Sequence, residues 1–259
     1  MINSVFILEN KKIEGIEKEK EKTEDIVRNC GKVVEKDIKN VDFLITMGGD
    51  GTILKGFHLL ENKETLIYGI KYGKVGFLTN SNENIEEKLK KVFAGNFYVS
   101  ERTLLEIEIR SGNEFYKDIC LNEIVVFRKG IRIINLSVET EKEKVLCFRA
   151  DGIICSTPTG STGHSLSAGG PILDPEIISF LIIPLMPHLL TTRPVILGKK
   201  DRIKISINGK VGIVIDGQKE YITEENSEIN VFLSEKKGKI VLEDKKFFEK
   251  LSSKFHWSK

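Results

Sequence analysis

Val41-Asp42-Phe43-Leu44-Ile45-Thr46-Met47-Gly48-Gly49-Asp50-Gly51-Thr52 is an apolar run that ends in glycines around a single acid. An apolar β-type run that turns helical across such glycines (Thr52 to Leu60) is how a main chain comes close to phosphate. Glycine removes the Cβ atoms that would hold a phosphate or sugar away, and the helix behind offers N–H groups and the positive end of its dipole. Gly48, Gly49, Gly51 and Thr52 are therefore the candidate phosphate loop. Asp50 needs a separate reason, because a carboxylate repels phosphate. It can orient a hydroxyl, take its proton, hold Mg²⁺, or simply cap the helix.

The rest of the first third alternates strand and helix: a strand at Ser4–Leu8, a charged helical stretch Lys11–Cys30, a strand at Leu66–Ile70, and an amphipathic helix from Asn84 to Gly95. Those lengths imply parallel pairing in a layered α/β domain. Near Tyr98 the pattern changes to short strands separated by turn signals such as Asn208-Gly209 and Lys237-Gly238, the mark of antiparallel hairpins. Ile119–Phe127 reads as one strand, and Ile229–Leu233 and Lys239–Leu242 as two. A helical interruption is expected over roughly Ser161–Leu190. The expected fold is an α/β N-terminal domain (1–97, parallel sheet flanked by helices), a β-rich, mostly antiparallel C-terminal domain (98–244), and a helical tail (245–259).

Composition excludes several classes. The 259 residues are 40% hydrophobic and 30% charged with a net charge of +2, so no nucleic-acid or anionic-membrane footprint is present. Ile177–Met186 is too short to span a bilayer and contains Pro184. No basic-then-apolar leader precedes Ser4, so a cytoplasmic protein is expected. Cys30, Cys120, Cys147 and Cys155 lack CxxC spacing and read as reduced, buried thiols, while the scattered histidines offer no metal pattern. Neither a Walker A nor a GxGxxG motif occurs.

Three further elements carry chemistry. Asn122-Glu123 stands in an apolar stretch. Burying either group unpaired costs about 1–3 kcal/mol, so the pair needs polar company, unless it lies on an edge strand with Glu123 solvated. Arg149-Ala150-Asp151-Gly152 leads through a buried strand into Ser156-Thr157-Pro158-Thr159-Gly160-Ser161-Thr162-Gly163-His164-Ser165-Leu166-Ser167-Ala168-Gly169-Gly170-Pro171, dense in hydroxyls and glycines. That block can be a flexible linker, but the strand before it and the apolar segment after it favour a rigid polar binding surface. Asp216-Gly217-Gln218 closes a hairpin strand and reads equally as an ordinary turn.

Taken together these motifs resemble the bacterial ATP-dependent NAD kinases over nearly the whole chain. The resemblance rests on GGDGT, Asn122-Glu123, the block from Ala150 to Glu176, Pro187-His188 with Arg193-Pro194, and Phe255-His256-Trp257. It implies transfer of the ATP γ-phosphoryl group to the 2′-hydroxyl of the adenosine ribose of NAD, with Mg²⁺ or another divalent cation accompanying ATP; polyphosphate stays open as a donor in place of ATP. By position it implies Asp50 as proton acceptor, with Gly51 and Lys55 beside the dinucleotide. Asn122 and Glu123 would hold adenine and ribose. Arg149, Asp151, Thr162, Gly163, His164, Ser165, Leu166, Ser167 and Gln218 would make further NAD contacts. A homo-oligomer, tetramer or dimer, is implied, with the tail returning to the N-terminal domain; no metal ligand is assigned to the protein. One departure stands out: the family usually shows Thr-Ala-Tyr where this chain has Thr162-Gly163-His164. A lipid-type kinase shares GGDGT but would lack the Ser/Thr block. A serine hydrolase would use Ser165, Asp216 and His256, but its nucleophile elbow must follow a strand directly, and here Pro158–Thr162 intervene. A non-catalytic NAD sensor would have no use for Asp50.

Overall fold

The computed structural model describes residues 2–73, 76–199 and 201–257. The chain divides into two compact units, Met1–Glu101 with Gly238–Lys259, and Arg102–Lys237.

In the first unit the elements are β1 (Ser4–Glu9), α1 (Ile16–Asn29), β2 (Val33–Val34), β3 (Phe43–Gly48), α2 (Asp50–Leu59), β4 (Leu66–Lys71), β5 (Thr79–Asn80) and α3 (Ile85–Phe93). β2, β1, β3 and β4 pair in that order, all parallel, and β5 also joins β4 in parallel. β3 is buried at every position, as a central parallel strand covered on both faces must be. Phe43, Ile45 and Met47 share one core with Val5, Ile7 and Tyr68. The loops that leave the C-terminal ends of β3 and β4 therefore lie at the sheet edge where open α/β sheets place ligands.

The second unit holds β6 (Tyr98–Ser111), β7 (Glu114–Cys120), β8 (Glu123–Arg128), β9 (Ile134–Thr140), β10 (Lys144–Ala150), β11 (Gly152–Ser156), α4 (His164–Ser167), β12 (Ser179–Leu185), β13 (Val195–Gly198), β14 (Arg202–Asn208), β15 (Val211–Ile215), β16 (Lys219–Ile222) and β17 (Ser227–Leu242). The ends of β6 and β17 belong to the first unit, as does α5 (Phe247–Phe255). An antiparallel six-stranded sheet runs β13-β12-β11-β8-β15-β16. A second antiparallel set runs β10-β9-β14 and on to Ser227–Phe232 of β17. β14 shows why one face is buried: Ile203, Ile205 and Ile207 turn inward while Arg202 and Asn208 are exposed. Ile124, Ile153, Ile182 and Ile213 of the first sheet share a core with Leu136, Val138, Ile205 and Ile229 of the second.

The structure corrects four expectations. Ser161–Leu190 is not helical beyond a 3-10 turn (Thr159–Thr162) and the short α4; Ser179–Leu185 is strand β12, paired with β11 through Ile182 opposite Cys155. Gly169-Gly170-Pro171 ends helical spacing, and the run Phe180-Leu181-Ile182-Ile183-Pro184 is buried on both faces, where β-branched residues pack well and a helix would be broken by proline. Ile119–Phe127 is two strands, broken at Leu121-Asn122. β17 runs unbroken through Lys237-Gly238, whose turn signal is overridden by its partners: β14 pairs with its first part and β4 with Lys239 and Ile240. Cys147 is exposed rather than buried, while Cys120 and Cys155 are buried free thiols. Among the described residues no helix is long and apolar enough to cross a membrane.

Gly152 is the most closely packed of the described glycines in the six-stranded sheet. A Cβ there would run into the Val126 carbonyl oxygen and stand 3.1 Å from the Phe127 Cα. Gly152→Ala should destabilise the chain by about 1–3 kcal/mol. Gly51→Ala, whose added carbon meets nothing within 4 Å, should leave stability unchanged or slightly raised. Urea unfolding of the two variants checks the contrast.

Candidate functional site

The glycine loop joins β3 to α2. At Gly48 an added Cβ would collide with the Thr52 hydroxyl, so strand end and helix start can approach this closely only with glycine there. Gly49 and Gly51 face open space, with nothing within 4 Å of where a Cβ would stand. Asp50 opens α2 but does not cap it; Gly49 is the cap residue, and no side-chain cap bond forms. Instead the Asp50 carboxylate reaches across to the connection between β4 and β5. Phe77 N–H donates to Oδ2 at 2.8 Å and Leu78 N–H to Oδ1 at 3.0 Å. Each oxygen thus has one fixed donor and capacity for a further one. Lys55 lies exposed further along α2.

A metal would find few protein ligands here. Among the described residues no three His, Cys, Asp or Glu side chains converge. With Asp50 as the loop's one carboxylate, a cation here would be carried mainly by phosphate oxygens and water.

In the second unit, the corner Leu121-Asn122-Glu123 is gripped from two sides. Asp216, only 3% exposed, accepts from the N–H groups of Leu121 (2.8 Å), Asn122 (2.8 Å) and Glu123 (3.0 Å). Thr157 donates its hydroxyl to Leu121 O at 2.6 Å and its N–H to Asn122 O at 2.8 Å. With its N–H groups given to a carboxylate, this corner cannot stay in a ladder, which is why the expected single strand divides. Asp216 and Gly217 sit at φ 51 and 64, the left-handed pair of a tight hairpin turn between β15 and β16.

The corner holds unpaired polar atoms: Asn122 Oδ1 and Glu123 Oε2 are buried without hydrogen-bond partners, as are Thr159 Oγ1 and Ser165 Oγ in the hydroxyl-rich block. Gly163 lies against the first two: a Cβ there would stand 3.3 Å from Glu123 Oε2 and 3.6 Å from Asn122 Nδ2. Burial, reinforced by the nearby Asp216 charge, pushes the Glu123 carboxyl up to about 8. A neutral Glu123 can donate as well as accept.

The structure thus gathers Gly48, Gly49, Asp50, Gly51 and Thr52 in one loop, and Asn122, Glu123 and Gly163 around one corner. Ser165 is fully buried, Leu166 half-buried, and His164 and Ser167 exposed. The Thr162 hydroxyl bonds Thr159 O at 3.4 Å. Other predicted residues keep different company. Asp151 is ion-paired to Arg128 at 2.6 Å. Arg149 is exposed and lines a hollow of about 830 Å³ with Arg132 and Lys210. Gln218 is exposed, its amide 3.4 Å from Asp216 O. Sequence reasoning singled out Asp216-Gly217-Gln218 without giving Asp216 this bracing role, and it overlooked Phe77. The first had a signal: an acid beside glycine directly after the buried strand β15 is placed to fold back onto main-chain N–H groups.

Comparison with known proteins follows the same division. The ATP-NAD kinase N-terminal domain matches residues 2–97 and the C-terminal domain residues 121–242. An NAD kinase of Methanothermobacter thermautotrophicus is 40% identical over 229 residues, covering 85% of this chain and 78% of that protein. One of Caldicellulosiruptor saccharolyticus is 37% identical, covering 85% and 84%. An NAD kinase from Archaeoglobus fulgidus, solved in complex with ATP, superposes with a TM-score of 0.81 at 29% identity over 96% of this chain and 99% of that one. Yeast NADH kinase complexed with NADH shares the fold, with a TM-score of 0.89 at 22% identity over 99% and 88%. The two matching domains define a nucleotide kinase. The chain belongs to the ATP-NAD kinase family, and its enzymatic function is that of an NAD kinase. The similarity extends to archaeal members, beyond the bacterial ones that the motifs suggest.

Glu123 also sets a pH dependence. The folded chain keeps its Glu123 proton where the unfolded chain has lost it, so this group's contribution to stability is fully present below about pH 4.5 and is lost as pH rises through about 8. Glu123→Gln should remove that slope. Relative to the native chain, the variant should gain up to about 1.4 kcal/mol per pH unit across that window. Ligand-free denaturation curves between pH 5 and 8 measure it, and a pH-independent difference would contradict the assignment.

Proposed function

We propose that this chain transfers the γ-phosphoryl group of ATP to the 2′-hydroxyl of the adenosine ribose of NAD, giving NADP. The observation that carries the proposal is the Asp50 carboxylate, fixed at the head of α2 by two N–H groups and flanked by open glycine positions. Phosphoryl transfer passes through a loose transition state, so positioning and charge neutralisation do most of the work. Asp50 would orient the 2′-hydroxyl and receive its proton late, since a carboxylate is a weak base towards an alcohol. Gly49 and Gly51 would let phosphate approach the main chain. When bound, a divalent cation carried by ATP would neutralise charge on the triphosphate.

Asn122 and Glu123 would hold the adenosine part of NAD. Their orphaned oxygens support this role, because a buried unpaired polar atom is costly until a ligand satisfies it. Gly163, Ser165 and the hydroxyl-rich turn would add contacts, with His164 stacking or hydrogen-bonding. Arg149, Asp151, Lys55 and Gln218 are assigned to the dinucleotide by resemblance alone. A homo-oligomer working in the cytoplasm completes the proposal; exposed Met186, Leu189 and Leu190 offer apolar surface for a second copy.

Asp50→Asn should lose at least about 10²-fold in rate with little loss of NAD affinity. A coupled assay with NAD, ATP and Mg²⁺, read by an NADP-specific dehydrogenase, measures the rate, and titration calorimetry the affinity. Unimpaired turnover would refute the role of Asp50. Substituting polyphosphate for ATP, and NADH for NAD, in the same assay defines donor and acceptor range.

A further inference from the structure

Gly76-Phe77-Leu78 belongs to no helix or strand, so its order must come from packing. Its main chain supplies the two N–H groups that hold Asp50. Its one large ring, Phe77, is 7% exposed and lies against the C-terminal helix α5. Phe247 and Phe255 stand 6.1 and 6.3 Å from it, ring centre to ring centre, and the Lys254 ammonium sits 4.0 Å from its centroid. Gly76 permits the approach, since a Cβ there would fall onto the Asp50 carboxylate. A chain of contacts therefore runs from α5 through one ring to the acid.

We infer that Phe77 and α5 form a positioning device for Asp50: packing of Phe247, Phe255 and Lys254 on the Phe77 ring fixes the two N–H groups that aim the carboxylate at the acceptor hydroxyl. The inference rests on the reading of Asp50 as proton acceptor. The physical reason lies in the torsions. A carboxylate in the first turn of a helix rotates about χ1 and χ2, and one donor on each oxygen removes both freedoms. Donors on an irregular segment can do this only while that segment is itself immobile. Loosening the ring contact should then scatter the carboxylate and slow transfer without disturbing how NAD or ATP binds.

Phe255→Ala and Phe255→Leu, alone and in the Asp50→Asn background, provide the test, with kcat and both KM values measured below the unfolding midpoint of each variant. Phe255→Ala should lower kcat about tenfold while KM for NAD and ATP stays within about threefold, and Phe255→Leu should restore most of kcat. In the Asp50→Asn background Phe255→Ala should cost no more than about twofold, because a device acting through Asp50 has nothing left to position. A purely structural role for α5 would move the double variant as far as the single one, and that result would overturn the inference. So would a folded Phe255→Ala with native kcat when Asp50→Asn is about 10²-fold slower. Should Asp50→Asn itself turn over normally, the reading of Asp50 fails instead. Phe247→Ala repeats the measurement if Phe255→Ala does not fold.

Discussion

Main-chain N–H groups given to a carboxylate organise both parts of this molecule that bear on chemistry. Asp216 receives three and Asp50 two, in each case from a segment distant in sequence. Hydrogen bonds to a charged acceptor contribute about 1.5–3 kcal/mol each, and a buried carboxylate without them would be expelled or neutralised. The acid therefore dictates where the donor segment goes. In the second unit that segment is the corner carrying Asn122 and Glu123. In the first it is the irregular stretch beside β5.

The corner shows what this arrangement does to its neighbours. Asp216 uses its charge on N–H groups, while burial first, and that same charge second, favour the neutral form of the Glu123 carboxyl. Thr157 holds the carbonyl side of the corner, so Asn122 and Glu123 have little freedom left in their main chain. What remains unsatisfied is confined to side-chain oxygens. A site built this way is rigid before ligand arrives, and the ligand supplies the missing partners rather than the order. The hydroxyl-rich block follows the same logic. Several of its hydroxyls are spent internally, Ser161 on Pro158 O and Leu173 N–H for example, which makes the turn a support as much as a contact surface.

Features set by neighbours in sequence were legible. The glycine loop could be read because strand, glycines, acid and helix are consecutive, and the amphipathic stretch Asn84–Gly95 because its spacing is its own. Asn122-Glu123 could be recognised as needing polar company, yet its break in the strand could not, since the cause, Asp216, lies more than ninety residues away. Ser179–Leu185 misled for a related reason. An apolar run buried on both faces has no periodicity to betray strand from helix, and only its pairing with β11 and β13 settles it. The glycine loop singled out Asp50, but no spacing pattern links it to Phe77 or to α5.

Gly163-His164 can now be weighed in physical terms. With the family's usual alanine at 163, the Cβ would stand 3.2 Å from Gly160 O and 3.3 Å from Glu123 Oε2, close enough that one of them must give by a few tenths of an ångström. Gly160 cannot yield easily, because its own missing Cβ is what lets it lie on the Asn122 carbonyl. The adjustment would fall on Glu123, whose Oε2 is the unpaired oxygen. Glycine at 163 thus spares that buried oxygen the crowding, and the neighbouring His164 is exposed.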